Sequence, residues 1–190
     1  ILGKNFVWIY RFMLFLMCKR STIFCVNNKI ITGRNYKLVL PSQLDNSWFE
    51  NIQDSNLKEI KLLYVGRIKI EKGIFSLLNL LEKINLNLPH SLTLAGHGKK
   101  ISSLPNNVNL LSPVSKPSEL IKIYDNHNIT ILPSFTEGHP QVLIESLARR
   151  RPIIIFSEID FIKKNYQGVF VSTRNADYLA KTIKYIIENY

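Results

Sequence analysis

The sequence predicts an α/β domain built on a mostly parallel, doubly wound sheet with helices on both faces. Three observations carry that expectation. From residue 61 onward, short β-branched and aliphatic runs alternate with stretches of helical spacing, the pattern of strands joined by crossover helices. Ile129-Thr-Ile-Leu132 is short, β-branched and closed by Pro133, which suits a buried parallel strand. The chain is 190 residues long, 46% hydrophobic and 21% charged, enough for one well-buried domain, or one domain and a fragment of another, and too apolar for disorder.

The elements follow in order. Residues 5–18 are very apolar, too short to span a bilayer and interrupted by Arg11, so they read as a helix, either packed in a core or lying on a membrane surface. A secretory leader is disfavoured: no small-residue cleavage site follows, and Lys19-Arg20 puts the charge on the wrong side. Residues 24–26 and 36–40 read as strands, with Asn27-Asn28 and Gly33 as turn residues. Polar residues then mark a linker over 45–56 between a first unit, 1–44, and a main domain, 57–190. In the main domain strands are expected at 61–65, 91–95, 108–111, 129–132, 153–156 and 169–171. Helices are expected at 74–85, 120–124, 140–150 and 176–188.

Composition narrows the partners. A net charge of +11 favours anions such as nucleotide phosphates or acidic headgroups, and no nucleic-acid-reading motif accompanies it. Cys18 and Cys25 stand without a CxxC pair, which fits a reducing, cytoplasmic compartment. His90, His97, His127 and His139 are scattered, so no metal is expected. The start at Ile1 rather than Met makes a truncated stretch plausible.

In a doubly wound sheet ligands bind beyond the carboxyl ends of the strands, so the loops after Val65, Ala95, Leu111 and Leu132 are the candidates. Arg67 and Lys72 lie in the first and could neutralise a diphosphate, or be solvated loop cations. The second holds Gly96-His97-Gly98, a weak signal that often only makes a tight turn. The fourth leads through Glu137 to Pro140, which suits a first helical turn, so amides of Gln141, Val142 and Leu143 are expected to face the cleft and favour phosphate. Glu145 lies more than a turn inside that helix. Arg149-Arg-Arg151 reads as a basic membrane-facing or solvated edge.

Glu137 and Glu145 form an E-x7-E pattern, and its surroundings resemble the donor-binding corner of glycosyltransferase family 4, with the GT-B fold. Gly66-Arg67-Ile-Lys-Ile-Glu-Lys72-Gly73 is similar to that family's first strand-to-helix loop, and Ala95-Gly96-His97-Gly98 to its second-strand turn. Residues 36–190 follow the family's order, with departures at Ser42-Gln43, where Asn-Gly is usual, and at 149–151. The resemblance implies a Rossmann-like, C-terminal donor-binding half of a GT-B enzyme, joined to a remnant of the acceptor domain. It further implies a retaining glycosyltransferase that needs no cofactor or metal and takes a UDP-, GDP- or ADP-sugar. Arg67 and Lys72 would hold the diphosphate as catalytic residues. Glu137, supported by the Gly138 and His139 amides, would accept from sugar hydroxyls, and Glu145 from the ribose. Gly96 and, in Ser112-Pro-Val114, Val114 would line the nucleotide. A glycan or lipid-linked acceptor is implied, with peripheral contact to the inner membrane face as a further expectation and no nucleic acid. The alternatives are a non-catalytic nucleotide-sugar-binding fragment needing a partner chain, and a nucleotide-sugar epimerase. A dinucleotide oxidoreductase is disfavoured because G-x-G-x-x-G does not follow the first strand.

Overall fold

A computed structural model describes residues 4–19, 23–25, 36–38, 44–55, 59–86, 88–98, 101 and 103–190. The chain divides into two compact units, Ile1–Ser42 and Gln43–Tyr190.

The smaller unit holds α1 (Lys4–Cys18) and a parallel pair of short strands, β1 (Ile23–Cys25) and β2 (Tyr36–Leu38). The turn readings at Asn27, Asn28 and Gly33, the strand ends at 26, 39 and 40, and Ser42-Gln43 lie outside the described residues. Every side chain described on α1 is exposed, Trp8 at 70%. Among the described side chains of this helix none is buried. What it does make are local contacts: Trp8 stacks on Phe12 one turn later at 5.8 Å, and the Lys19 ammonium lies 5.5 Å from the Phe15 ring.

The larger unit holds six parallel strands, β3 (Ile60–Val65), β4 (His90–Ala95), β5 (Val108–Leu111), β6 (Ile129–Leu132), β7 (Ile153–Phe156) and β8 (Val169–Ser172). Helices α2 (Ile74–Lys83), α3 (Pro117–Asp125), α4 (Gln141–Ala148) and α5 (Ala176–Asn189) connect or close them. The strands lie in the order β5-β4-β3-β6-β7-β8, which is the doubly wound, Rossmann-like arrangement. The direction of winding reverses between β3 and β6, which pair through Leu62 with Ile129 and Leu63 with Thr130. In open α/β sheets ligands bind beyond the carboxyl ends of the strands at such a reversal point.

Strand side chains alternate between two helical layers. Leu62, Tyr64, Ile154 and Phe156 pack with Ile74 and Leu77 of α2 and Leu179, Ile183 and Ile186 of α5. Ile153 and Ile155 face the other way, onto Leu143 of α4 and onto Ile159 and Ile162 of a 3₁₀ segment (Ser157–Ile162). Leu63 and Ala95 meet Tyr124 of α3, Ala148 of α4 and Trp48. With both faces covered, β6 and β7 are buried throughout, which is why their sequences are apolar but for Thr130, whose hydroxyl oxygen accepts from Ser146 at 2.7 Å. Asn175 starts α5 by accepting from the amides of Asp177 and Tyr178 at 2.9 and 3.2 Å.

One expectation is overturned. Arg149 and Arg151 are not an edge facing a membrane or solvent; each is 1% exposed, and only Arg150 of the three is exposed. The Arg149 guanidinium donates to both carboxylate oxygens of Asp125 at 2.9 and 2.8 Å, and to the carbonyls of Trp48, Glu50 and Asn51 at 2.9, 2.8 and 3.2 Å. Arg151 donates to the carbonyls of Tyr124, Asp125 and Gln53 at 3.2, 3.2 and 2.8 Å. The physical reason is supply and demand: an irregular segment offers carbonyls that no strand or helix satisfies, and a guanidinium has five donors. The described part of the segment expected as a linker thus belongs to the larger unit. It carries a 3₁₀ turn (Asn46–Phe49) capped by Asp45, with Trp48 edge-on to Tyr124 at 5.8 Å.

Candidate functional site

The connections after β3, β4 and β5 are fastened backbone to backbone. Gly66 donates to Ala95 at 3.0 Å, Gly96 to Leu111 at 3.2 Å and Ile68 to His97 at 2.8 Å. A side chain at Gly96 would place its Cβ 1.9 Å from the Gly66 carbonyl oxygen, so the glycine serves this close approach. Its amide is spent on Leu111. The Arg67 carbonyl accepts from the Tyr64 hydroxyl at 2.7 Å, whereas its guanidinium is exposed and makes no ion pair among the described residues.

The chain next forms a 3₁₀ turn (Ile70–Lys72) and reverses at Gly73, where φ is 70°. Here a Cβ would lie 1.9 Å from the Pro133 carbonyl oxygen, because the loop after β6 runs against this turn. The Phe135 amide donates to Glu71 O at 3.1 Å. That approach brings together two residues 65 positions apart: Lys72 Nζ lies 2.6 Å from Glu137 Oε1. The Ser134 hydroxyl, itself buried, donates to the same oxygen at 2.7 Å. Glu137 thus has the basic neighbour that its sequence surroundings lack. Burial, and after it the negative charge of Glu137, pushes the nearby Tyr64 hydroxyl above the ordinary tyrosine range, so it stays a hydrogen-bond donor.

The loop is also gripped from behind. Arg174, just after β8, donates to the carbonyls of Pro133 and Ser134 at 2.6 and 3.2 Å and pairs with Glu158. Its guanidinium lies over the rings of Phe135 and Phe156 at 3.9 and 4.6 Å.

Glu145 projects from α4, half-buried, with Oε2 accepting from the Tyr124 hydroxyl at 2.8 Å. Burial pushes its carboxyl above the usual range, and the Tyr124 hydrogen bond opposes that shift. Pro140 stands one position before α4 with ψ of 121°, as the extended residue that caps it rather than inside its first turn. The Leu143 amide donates to the Pro140 carbonyl at 3.2 Å and Leu143 itself is 3% exposed, so of the three amides expected to face the cleft this one is already engaged. Gly138 is exposed, and an added Cβ would meet nothing within 4 Å. His139, Gln141 and Val142 are half-buried, as is Val114 in the loop after β5.

The sequence-expected charges therefore gather in the loops after the two strands at the reversal point, with Glu145 on the helix that follows β6. Sequence reasoning missed Ser134, Tyr124 and Arg174. Ser134 lies three residues before Glu137, but Tyr124 reads as a core residue of an amphipathic helix. Arg174 lies about 40 positions from the loop it holds and leaves no local signal.

Comparison with known proteins bears on this arrangement. The family model described as glycosyl transferases, group 1, matches residues 47–190. A Bacillus subtilis protein named as a teichuronic acid biosynthesis glycosyltransferase is 30% identical over 124 residues, 64% of this chain and 31% of its own length. A Campylobacter jejuni α-1,4-N-acetyl-D-galactosaminyltransferase, whose name gives a diphospho-undecaprenol-linked glycan, is 29% identical over 145 residues, 70% of this chain and 40% of its own. The chain thus spans well under half the length of these two relatives. Among solved structures, TarM superposes with a TM-score of 0.69 at 15% identity over 95% of this chain and 39% of that one. Sucrose-phosphate synthase from Thermosynechococcus elongatus gives 0.65 at 21% identity over 83% and 44%.

Proposed function

The chain belongs to the group 1 glycosyl transferases, and from that premise we propose that its larger unit is the donor-binding half of a retaining enzyme that transfers a sugar from a nucleotide-diphosphate sugar. The observation that carries this reading is the convergence of Lys72 and Glu137, 2.6 Å apart at the reversal point of the sheet. In this reading Arg67 and Lys72 take the diphosphate. Charge builds on that group as its bond to the sugar breaks, and fixed cations at the spot lower the barrier. The start of α4 adds a partial positive charge, so protein groups do the work a divalent cation does elsewhere. Glu137 accepts from hydroxyls of the sugar, and Glu145 from those of the ribose. The acceptor is a glycan or a lipid-linked glycan, of the kind named for the Campylobacter relative.

Contact with an anionic leaflet is part of the proposal. Exposed aromatic and aliphatic side chains along α1, with exposed Arg11 and Lys19, suit a helix lying in the headgroup region. No described helix is long and apolar enough to cross a membrane.

Titration calorimetry with UDP, GDP and ADP tests the donor site. Charge-assisted hydrogen bonds contribute about 1.5 to 3 kcal/mol, so Arg67→Ala should weaken the nucleoside diphosphate that binds by about ten- to a hundredfold. Unchanged affinity in Arg67→Ala removes the diphosphate assignment.

A further inference from the structure

Lys72 and Glu137 have separate tasks in the donor site, phosphate for one and sugar for the other, yet in the structure they hold each other. The pair is shielded, with the side chains 20% and 10% exposed. Both of its internal donors fall on one oxygen: Lys72 Nζ at 2.6 Å and Ser134 Oγ at 2.7 Å meet Glu137 Oε1. Ser134 is fully buried and its carbonyl is held by Arg174, so it stays with Glu137, whereas the flexible lysine stem lets Nζ leave.

We infer that the Lys72–Glu137 pair makes this site discriminate between intact nucleotide-sugar and bare nucleoside diphosphate. The inference rests on the donor-site reading above. When a nucleotide-sugar enters, its phosphates draw Nζ away and the sugar hydroxyls donate to Glu137 in its place. Both charges keep partners. When a bare nucleoside diphosphate enters, the phosphates take Nζ in the same way, but Glu137 is left with the Ser134 hydroxyl alone. Binding then carries the cost of a half-buried carboxylate stripped of its ion pair. The released product is thereby held less tightly than the donor that gave rise to it, and the two charges that serve the reaction also bias which ligand occupies the site.

The test titrates UDP, GDP and ADP into the full chain and into Glu137→Gln, an isosteric change that frees Lys72. The bare diphosphate that binds should do so about three- to tenfold tighter in Glu137→Gln, the range expected for releasing a partly shielded pair. The preference for the matching sugar-bearing donor should shrink at the same time. Glu71→Gln controls for charge, because Glu71 is an exposed neighbour 3.7 Å from Lys69 and should give no such gain. Equal or weaker diphosphate binding in Glu137→Gln overturns the inference, as does an equal gain in Glu71→Gln, which would trace the effect to net charge. Glu137→Ala offers a second variant should the Gln form fail to fold. If wild type binds none of the three diphosphates, the donor-site reading itself falls; if wild type binds and Glu137→Gln gains nothing, only this inference does.

Discussion

Two carboxylates in one motif have different surroundings, and those surroundings set what each can do. Glu137 is met by a cation and a hydroxyl, while Glu145 has a buried tyrosine and apolar neighbours. The raised carboxyl of Glu145 has a defined sign. Its folded value exceeds the ordinary 4.5, so the stability tied to the group is fully present below that value and is lost as pH rises through the folded one. Ligand binding runs the other way, because ribose hydroxyls donate best to the ionised form. Affinity for the nucleoside diphosphate should therefore fall on acidification, beginning above the ordinary carboxylate range. Tyr124→Phe removes the hydrogen bond that opposes the shift and should move the inflection to higher pH, with affinity little changed on the alkaline side. Calorimetry over about pH 5 to 8 reads both curves, and superimposable profiles would deny Tyr124 this role. That Glu145 lies inside a helix was legible from the apolar spacing around it. Tyr124 was not, since a lone aromatic at a helical core position is ordinarily packing and nothing local announces its hydroxyl's partner.

At the scale of elements, strands were the most legible feature. Each of the six strands in the larger unit falls within a residue or two of its apolar run, because strands of a sheet covered on both faces are rich in aliphatic residues, most of all in the fully buried β6 and β7. The three 3₁₀ turns were not foreseen, being short and stabilised by tertiary contacts rather than by periodicity. The basic triplet after α4 was misread for a related reason: charge suggests solvent unless the partner is known, and Asp125 with a row of carbonyls lies far away in sequence. Arg149 secures the junction of α3, α4 and residues 48–51. Arg149→Met should lower unfolding free energy by about 3 to 5 kcal/mol, since it leaves Asp125 and several carbonyls without their donor. Chemical denaturation measures the loss. A change below about 1 kcal/mol would mean water takes the guanidinium's place.

Taken whole, the molecule pairs a closed α/β unit with a small unit whose helix offers apolar side chains to its surroundings. A helix so rich in exposed apolar side chains is at home in a larger core or at a lipid interface. The leaflet proposal predicts co-sedimentation with vesicles containing anionic lipid, weaker binding at high salt, and further loss in Trp8→Ala. Equal recovery in the supernatant with anionic and neutral vesicles would reject it. The fold of the larger unit was readable because strand-like and helix-like stretches alternate along the chain. The grip of Arg174 on the loop carrying Ser134 was hidden, because it depends on which strand ends lie side by side.

The clasp around residues 48–53 reads shape and not spelling. Arg149 and Arg151 take hold of that segment only through main-chain oxygens, and every amino acid, proline included, supplies one. Descendants of this chain can therefore rewrite Glu50 and Gln53 freely. Asn51 is constrained by its φ of 49° and Trp48 by its burial, while neither arginine can give way even to lysine. Two fixed letters on one side of the junction leave their neighbours across it open to drift, so the surface there can be retuned without loosening the fold beneath.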